Sequence, residues 1–498
     1  MMMESLWLKQ HEERETMNNA VHIANALPGA GKTQHFIDGV KRHDRVLLAA
    51  PTIKLGNDIK DRLVSSGIAT TILNSESITL GNVKDSIEKA LQEIDYGCVV
   101  IITHTALLSI DAARLQGWCV VIDEVPNINN CQSAAIGFST FGDLFDSRVQ
   151  VHEDGTVTMM EGMEHEIRER YPQAHRAKIY PSIVMFGGLI DPTAEITLEK
   201  KDKEYIIMKS AYHDFSEIIE SSNEFHVLGN AIEKTLFYRF VISKGFTIEE
   251  SRYQPESKSY SMAPTIIPLF SGERISKTIL LTRKDGTRSD TFDESCIGWS
   301  VLGNALDSLN GRPALVQIYD WAKTFPFDRY SNVEITPFDA RGLNGYSSHS
   351  TTVNFIHGNP DPLQGRMNRR MLELMKVDVV EGEKCIRYER YIEAMVQHIA
   401  RTDIRNYELQ ESPTTHIVPC EGAALEIQEA LKIACHIDTS LMVPTPQSAS
   451  SLSRSEKKRK ALVMLKDGYS VSEVASLLGV TRQTIYNWMK KEDLPTAA

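Results

Sequence analysis

The chain has 498 residues, of which 42% are hydrophobic and 24% are charged, and its net charge is −12. These values argue against a disordered chain and predict a soluble globular protein of two or three domains. No apolar run approaches the roughly 18 residues of a membrane helix, and the amino terminus lacks a secretory pattern, so we expect no membrane partner. Seven cysteines without a Cys-x-x-Cys pair predict neither a disulfide framework nor a zinc site, which fits a reducing cytosol.

A glycine-rich segment follows the first apolar run, 21–25, and precedes a helix-like stretch at 34–42. It reads Ala-Leu-Pro-Gly-Ala-Gly-Lys-Thr over residues 26–33. The order strand, turn, Gly-Lys-Thr and helix is typical of a phosphate-binding loop, whereas a chance Gly-Lys-Thr would lack this context. Small residues let backbone N–H groups surround a phosphate, while the lysine reaches the β- and γ-phosphates and the threonine ligates Mg²⁺. The predicted nucleotide-binding residues are Pro28, Gly29, Ala30, Gly31, Lys32 and Thr33.

A second motif ends a buried-looking strand, 118–123, with the two acids Asp123 and Glu124. Solvated carboxylates at a strand end are a simpler explanation, but after a phosphate-binding loop the pair indicates a nucleotide site. Asp123 would hold Mg²⁺, and Glu124 would orient and deprotonate the attacking water. The two motifs together predict hydrolysis of a nucleoside triphosphate, with ATP and Mg²⁺ as the expected ligands.

Short apolar runs alternate with amphipathic stretches from residue 18 to about 232. This alternation predicts a parallel sheet with crossover helices and a ligand site at the carboxyl ends of its strands. The stretch 141–222 breaks the pattern, and we interpret it as an insertion that acts either as a lid or as a strand-separating wedge. The predicted strands are 21–26, 45–50, 98–103, 118–123 and 225–229.

A second α/β pattern follows, and the pattern of predicted strands and helices becomes less regular after residue 411. Its predicted strands are 278–282, 314–319, 334–337 and 352–356, and its predicted helices are 300–309 and 391–400. A single helix is expected at 421–437, and the Pro- and Ser-rich stretch from residue 444 is typical of a flexible linker. The predicted domains are a first lobe (1–232), a second lobe (233–410), a helix and linker (411–453) and a carboxyl-terminal domain (454–498).

The carboxyl-terminal segment 451–498 is basic, with nine Lys or Arg and five Asp or Glu, and this leaves a charge of −16 on the other 450 residues. A basic tail on an acidic body suggests a small module with a polyanionic partner. Ala475 is small where two helices would cross, and Gly479 suits a turn with positive φ. Ser470 or Ser472 is the expected cap of one helix. Thr481 is the expected cap of the next.

This spacing resembles the resolvase/invertase-type helix-turn-helix across about 45 residues. The resemblance implies DNA binding, with the last helix in the major groove, although some three-helix units of this kind bind protein instead. The residues expected to face bases or phosphates are Arg482, Gln483, Thr484, Tyr486, Asn487 and Lys490.

The strand ends of the body resemble the motifs of superfamily 2 helicases. One segment follows the second predicted strand, as motif Ia does, and another follows the third. The acidic pair stands at the Asp-Glu-x-x box of that family, but the fourth residue is Pro126, so the chain is neither a strict DEAD-box nor a strict DEAH-box member. The residues to which the resemblance assigns contacts with the nucleic-acid backbone are Pro51, Thr52, Thr103 and His104.

Two segments of the second lobe resemble further motifs of the same helicases. Residues 339–344 resemble motif V, and residues 397–405 resemble motif VI, which reads Gln-x-x-Gly-Arg-x-x-Arg in the family. Here Ala400 replaces the glycine, and the last arginine is one place late. The resemblance implies nucleic-acid contacts for Arg341, Gly342 and Asn344, and catalytic roles for Gln397, Arg401 and Arg405.

The two arginines of the motif VI segment would lie one turn apart on a helix, where both can reach the cleft between lobes. An arginine there would stabilise the transferring phosphoryl group and couple hydrolysis to lobe closure. Two alternatives stay open. Residues 365–369 form a rival match with the correct Gly-Arg-x-x-Arg spacing, and arginines at 401 and 405 can instead belong to a solvated helix face.

The sequence and its resemblances predict an α/β protein with two RecA-like P-loop NTPase lobes, each with a parallel sheet, and a small all-α helix-turn-helix domain. The implied function is an ATP-dependent DNA helicase or translocase of phage or mobile-element style, which acts in replication or recombination in a bacterial or phage-infected cytoplasm. Single-stranded DNA would cross the two lobes, the tail would bind duplex DNA, and replication proteins would be partners. The alternatives are a nucleotide-switched DNA-binding regulator that does not unwind DNA, and an RNA helicase.

Overall fold

The computed structural model describes most of the chain, namely residues 19–41, 44–78, 82–94, 96–337, 346–407, 410, 412–446, 449–466, 469–478 and 480–490. These residues form two parallel sheets, one antiparallel sheet inserted into the first of them, and three carboxyl-terminal helices. No helix within these ranges is both long enough and apolar enough to cross a membrane. The predicted class, α/β with parallel sheets and a helical carboxyl-terminal region, is confirmed.

The first lobe begins with five strands that alternate with helices. The strands are β1 (Ala20–Asn25), β2 (Arg45–Ala50), β3 (Ala69–Ile72), β4 (Cys98–Thr103) and β5 (Cys119–Asp123). The helices are α1 (Lys32–Gly39), α2 (Ile53–Ser65), α3 (Val83–Glu93) and α4 (His104–Leu107). The central strands are runs of buried Val, Leu and Ile, because helices cover both faces of a parallel sheet.

An antiparallel sheet with its own helices interrupts the first lobe after β5. Its strands are β6 (Gln132–Gly137), β7 (Val149–Val151), β8 (Thr156–Met159), β9 (Ala194–Lys201) and β10 (Glu204–Ala211), paired in the order β6-β10-β9-β8-β7. Its helices are α5 (Phe138–Phe145), α6 (Glu164–Ala177) and α7 (Tyr180–Leu189). A separate core that includes Phe145, Met185 and Ile207 holds these elements together. The inserted sheet therefore begins earlier than the stretch 141–222 that the sequence indicates.

The chain then returns to the first sheet and completes it. The returning elements are α8 (Ser216–Ser221), β11 (Glu224–Gly229), α9 (Leu236–Ser243) and β12 (Thr247–Glu250). The seven strands pair in parallel in the order β12-β1-β11-β5-β2-β4-β3. Since β12 pairs with β1, the sheet extends past residue 232. One strand, β11, separates the carboxyl ends of β1 and β5, so the glycine-rich loop and the acidic pair lie at the same edge of the sheet.

The second lobe has six parallel strands in the order β15-β14-β16-β17-β13-β18. In chain order its elements are β13 (Thr265–Phe270), α10 (Lys277–Leu280), α11 (Ile297–Asp307), β14 (Ala314–Ile318), β15 (Val333–Ile335), β16 (Thr351–Phe355), α12 (Pro362–Leu374), α13 (Val379–Arg387), α14 (Ala394–Ile399), β17 (Thr415–Cys420), α15 (Glu421–Leu431) and β18 (His436–Ile437). The strands predicted at 314–319, 334–337 and 352–356 are confirmed within one or two residues at each end.

Several sequence-based expectations for the second lobe are wrong. The strand predicted at 278–282 is the helix α10, which the Ser276 hydroxyl caps by accepting from the Ile279 N–H. The helix expected at 421–437 ends at Leu431, and β18 follows. The segment 411–453 thus contributes two strands to the second sheet instead of forming only a helix and a linker.

A six-residue π-helix, Tyr388–Glu393, joins α13 to α14. The helix predicted at 391–400 therefore exists, but it continues an earlier helical segment and ends at Ile399. Such wide turns occur frequently at functional sites.

The helices α12 and α13 connect the two lobes and the inserted sheet. Met371 and Leu372 of α12 share an apolar core with Phe237 and Phe240 of α9 in the first lobe. On another face of α12, Arg370 forms a salt bridge with Glu195 of β9. The same helix thus contacts both the first lobe and its insertion.

The three carboxyl-terminal helices form a small separate core. They are α16 (Ala449–Lys466), α17 (Val471–Leu478) and α18 (Arg482–Lys490), and Ala461, Ala475 and Ile485 are buried between them. Ser470 caps α17, because its hydroxyl accepts from the Glu473 N–H at 3.3 Å while Glu473 Oε2 accepts from the Ser470 N–H at 2.8 Å. Thr481 caps α18, where its hydroxyl accepts from the Thr484 N–H at 3.2 Å. Gly479 lies outside the described residues.

Two buried histidines form a polar network within the core of the second lobe. His398 Nδ1 lies 2.8 Å from Asn354 Oδ1, and His416 Nδ1 lies 3.0 Å from the Thr352 hydroxyl. Burial lowers the pKa of each histidine to about 3. An unfolded histidine titrates near pH 6.5, so the unfolded chain binds these protons more tightly than the folded chain does.

We therefore expect acid to destabilise the second lobe. The stabilisation is fully present above about pH 6.5 and is lost as the pH falls from 6.5 towards 3, which amounts to about 2 kcal/mol per histidine between pH 7 and pH 5. Urea unfolding followed by tryptophan fluorescence at both pH values measures this loss. His416→Gln should reduce the pH dependence by about one proton, whereas His165→Gln, whose ring is 84% exposed, should not. An equal pH dependence in His416→Gln and the unsubstituted chain would contradict this account.

Candidate active site

The glycine-rich loop between β1 and α1 has the backbone that a phosphate-binding loop needs. Gly29 and Gly31 have φ values of 81° and 91°, in the left-handed region that glycine adopts without strain. A Cβ on Gly29 would also lie 3.0 Å from Arg405 Cβ, so the second lobe approaches the loop closely there. Two tyrosines that the sequence does not single out, Tyr260 and Tyr407, donate hydrogen bonds to the Pro28 carbonyl at 3.3 and 3.1 Å.

Lys32 points back into the loop instead of out to solvent. Its ammonium group donates to the Ala26 carbonyl at 2.8 Å and to the Leu27 carbonyl at 3.2 Å. Burial lowers the pKa of Lys32, and the carboxylates of Glu124 and Asp123 partly oppose this effect. The lysine thus lies close enough to the acidic pair to interact with both carboxylates, in the cleft where a phosphate would enter.

Thr33 and Asp123 bring their side-chain oxygens together at the sheet edge. The Thr33 hydroxyl lies 3.2 Å from Asp123 Oδ1 and 3.3 Å from Oδ2. Burial, followed by the neighbouring charge of Glu124, raises the pKa of Asp123 to about 7. A hydroxyl and a buried carboxylate fit Mg²⁺, which prefers oxygen ligands and would favour the charged form of Asp123.

Glu124 has a strained backbone that directs its side chain into the cleft. Its φ is +65°, and its N–H donates to the Leu228 carbonyl of β11 at 2.8 Å, which holds the turn. Gln397 of the second lobe extends towards it, with Nε2 3.5 Å from Glu124 Oε2. Gln397 of the second lobe therefore approaches Glu124 of the first lobe, the acid that is predicted to activate water.

Glu393 is a site residue that sequence reasoning missed. It is half-buried, and it accepts hydrogen bonds from Gln397 Nε2 at 2.8 Å and from Asn230 Nδ2 at 3.0 Å. Burial raises its pKa, and the charge of Glu124 adds to the effect. Its position four residues before Gln397, one helical turn away, is the sequence signal that could have indicated it.

The two predicted arginines reach the cleft, but not from one helix. α14 ends at Ile399, and Arg405 belongs to a 3₁₀ turn, Asp403–Arg405, so the expected shared helix face is wrong. Both arginines line the cleft together with Lys32 and Asp123. Arg401 is 8% exposed, and its charge contributes to lowering the pKa of Lys32.

The rival arginine pair at 365–369 lies elsewhere. Arg366 of α12 forms a salt bridge with Glu199 of the inserted sheet, and Arg369 pairs with Glu383 at 2.6 Å. Both guanidinium groups are exposed to solvent on a helix that does not line the cleft.

Four residues of the first lobe are predicted to contact a nucleic-acid backbone. Two of them, Thr52 and Thr103, cap helices at the same sheet edge. Thr52 and Thr103 accept from the Leu55 and Ala106 N–H groups, each at 3.2 Å. Pro51 precedes Thr52 at the end of β2. His104 turns inwards, with Nε2 3.0 Å from the Asp123 carbonyl oxygen. Arg341, Gly342 and Asn344 lie outside the described residues.

In the tail, the predicted DNA-contacting residues lie along α18. Arg482, Gln483, Tyr486 and Asn487 are exposed, and Thr484 is half-buried. Gln483 Nε2 donates to Asn487 Oδ1 at 3.3 Å along one face of the helix. Lys490 is the last residue of α18.

Comparison with known proteins supports the architecture. No curated protein matches the sequence. The family described as homeodomain-like domain matches residues 452–493. An apo structure of XPD is similar, with a TM-score of 0.50 and 13% identity over 86% of this chain and 98% of that chain. Xpd4 from S. tokodaii scores lower, with a TM-score of 0.46 and 12% identity over 86% and 97% of the two chains.

The chain shares the fold of this XPD structure. Its two parallel sheets are RecA-like lobes, and a homeodomain-like helix-turn-helix follows them. At 13% identity the similarity concerns the fold and does not extend to activity. The matched tail family confirms a helix-turn-helix, while the finer resemblance to resolvases stays a prediction.

Proposed function

We propose that the protein is an ATP-dependent motor that acts on DNA, a helicase or a translocase. The observation that carries the proposal is the meeting of both lobes at one cleft. Lys32, Thr33 and the acidic pair come from the first lobe, and Gln397 and Arg401 come from the second. Hydrolysis in such a cleft responds to the distance between lobes, which a bound strand can change.

The residues of the cleft divide the chemistry of phosphoryl transfer between them. The loop N–H groups and Lys32 would hold the β- and γ-phosphates, and Glu124 would orient the attacking water and accept its proton. Thr33 and Asp123 would hold Mg²⁺, which supplies charge neutralisation between the phosphates when it is bound. Gln397 positions Glu124, while Arg401 would stabilise the charge that develops on the transferring group.

The decisive experiment measures ATP hydrolysis by the full chain alone and with single-stranded DNA, duplex DNA or RNA, with Lys32→Ala as the inactive control. Strong stimulation by DNA that disappears in Lys32→Ala supports a DNA-dependent motor. Stimulation by RNA alone would favour an RNA helicase. ATP binding without turnover on any nucleic acid would overturn the motor and favour a nucleotide-switched regulator.

The tail would bring the motor to duplex DNA, because a tethered module raises the local concentration of its target without new contacts. We expect deletion of residues 451–498 to weaken duplex binding and to leave basal ATP hydrolysis unchanged. Filter binding with duplex DNA, together with an ATPase assay, checks both parts. Loss of basal hydrolysis in the truncated chain would contradict a simple tether. From the resemblance to helicases alone, we also propose a place in phage or mobile-element replication or recombination, in a bacterial or infected cytoplasm.

A further inference from the structure

Aromatic and cationic side chains collect at the carboxyl ends of the strands of the second sheet. Tyr319 directly follows β14, His357 lies two residues after β16, and Lys277 begins α10 after β13. These strands are parallel members of one sheet, so their carboxyl ends share an edge. Ligands of parallel α/β sheets bind at this edge. None of the three residues lines the ATP cleft.

Trp321 lies at the centre of this group. Its ring centroid is 6.4 Å from that of Tyr319 and 6.2 Å from that of His357, with interplanar angles of 26° and 29°. Lys277 Nζ lies 5.4 Å from the Trp321 ring centroid. The Arg390 guanidinium lies beside Tyr319 and interacts electrostatically with its hydroxyl. Tyr319 and Trp321 are half-buried and Lys277 is exposed, so the group is open to solvent.

The electrostatics of the group favour an anion. Burial, Arg390 and Lys277 together lower the pKa of His357 to about 4, so its ring is neutral near pH 7. The exposed carboxylate of Asp320 is paired with Lys323 at 2.6 Å. An aromatic face beside two cationic side chains matches the chemistry of an unpaired nucleotide, whose base stacks and whose phosphate pairs with a cation.

We propose that Lys277, Tyr319, Trp321 and Arg390 form a binding surface for an unpaired nucleotide of a single strand. These four residues are called the aromatic–cationic surface below. The inference rests on the proposed function and deepens it, because it assigns side chains of the second lobe to the bound strand. Stacking accepts any base and either sugar. The proposed ligand is therefore a nucleotide of either single-stranded DNA or single-stranded RNA.

One helical segment runs from this surface to the ATP cleft. Arg390 lies within the π-helix, Glu393 ends it, and Gln397 follows on α14 beside Glu124. At 1.5 Å per residue, the distance from Arg390 to Gln397 is about 10 Å along the helix axis. A strand that displaces Arg390 would therefore displace the segment that contacts the predicted water-activating acid.

The test measures binding of fluorescein-labelled oligo(dT) and oligo(rU) of about 20 nucleotides to the full chain by anisotropy, without ATP. Trp321→Leu removes the ring, while Trp321→Phe keeps an aromatic face. We expect Kd to rise about tenfold for Trp321→Leu and to change by less than about threefold for Trp321→Phe. Tyr96→Leu is the matched control, because Tyr96 is a 75% exposed aromatic residue at the amino end of β4.

Crosslinking of a 5-iodouracil strand to the unsubstituted chain, mapped by mass spectrometry, keeps the proposal testable if Trp321→Leu does not fold. Labelling of Tyr319 or Trp321 supports the surface. Unchanged affinity in Trp321→Leu, or crosslinks that avoid both residues, overturns it. Basal ATP turnover separates the two proposals. Turnover without single-strand binding by the unsubstituted chain removes the surface alone, whereas no turnover with or without nucleic acid removes the proposed function.

Discussion

Replacing Arg401 by alanine is expected to lower kcat for ATP hydrolysis by about 10³-fold, because an arginine on a transferring phosphoryl group contributes about 10³–10⁵-fold. Arg401 is buried in the cleft close enough to Lys32 to influence its pKa, so the two cations face the same space. Arg405 lies against the backbone of the loop at Gly29, and its removal is expected to raise KM more than it lowers kcat.

Steady-state ATP hydrolysis by Arg401→Ala, Arg405→Ala and Arg366→Ala measures these effects. Arg366 is the matched control, because it belongs to the rival motif and pairs with Glu199 outside the cleft. We expect its replacement to leave kcat unchanged. Loss of turnover in Arg366→Ala with retention in Arg401→Ala would reverse the assignment of the arginine.

Glu124→Gln is expected to lower kcat by about 10²–10⁴-fold while ATP still binds, since the amide keeps the shape of the side chain but cannot accept a proton. The substitution does not require a change of the left-handed backbone at residue 124. The hydrogen bond from the Glu124 N–H to the Leu228 carbonyl does not depend on the carboxylate. The fold around β5 should therefore survive the change.

Single-turnover hydrolysis and binding of a fluorescent ATP analogue distinguish lost chemistry from lost binding in Glu124→Gln. Glu429→Gln serves as the control, because that carboxylate is 70% exposed and pairs with Lys234 outside the cleft. Turnover of Glu124→Gln within tenfold of the unsubstituted chain would show that another group activates the water.

The parts of the cleft that are contiguous in sequence could be predicted from the sequence. The loop around Lys32 and the pair Asp123–Glu124 each join a buried strand to a turn, and local pattern is sufficient to place both at strand ends. Topology then brings them to one edge, because parallel strands that are neighbours or next neighbours share their carboxyl ends. These predictions needed no long-range information.

The contacts between lobes could not be predicted in the same way. Glu393 contacts Asn230, which is 163 residues away in the chain, and no local pattern marks that contact; only its four-residue spacing from Gln397 is visible in the sequence. Tyr260 and Tyr407 reach Pro28 from distant segments, and no local pattern marks them. The strand predicted at 278–282 failed for the opposite reason. Its apolar run was too short to separate strand from helix, and a serine cap decided the outcome.

The π-helix at Tyr388–Glu393 sets the directions in which the side chains before and after it point from one continuous helical segment. An α-helix advances about 100° per residue, so the single extra residue in a wide turn rotates everything after it by about that angle. Arg390 faces Tyr319 within the turn, and Gln397 faces Glu124 beyond it. In a regular α-helix these two side chains would have a different angular relation. The extra residue of the wide turn thus allows one helical segment to reach both Tyr319 and Glu124.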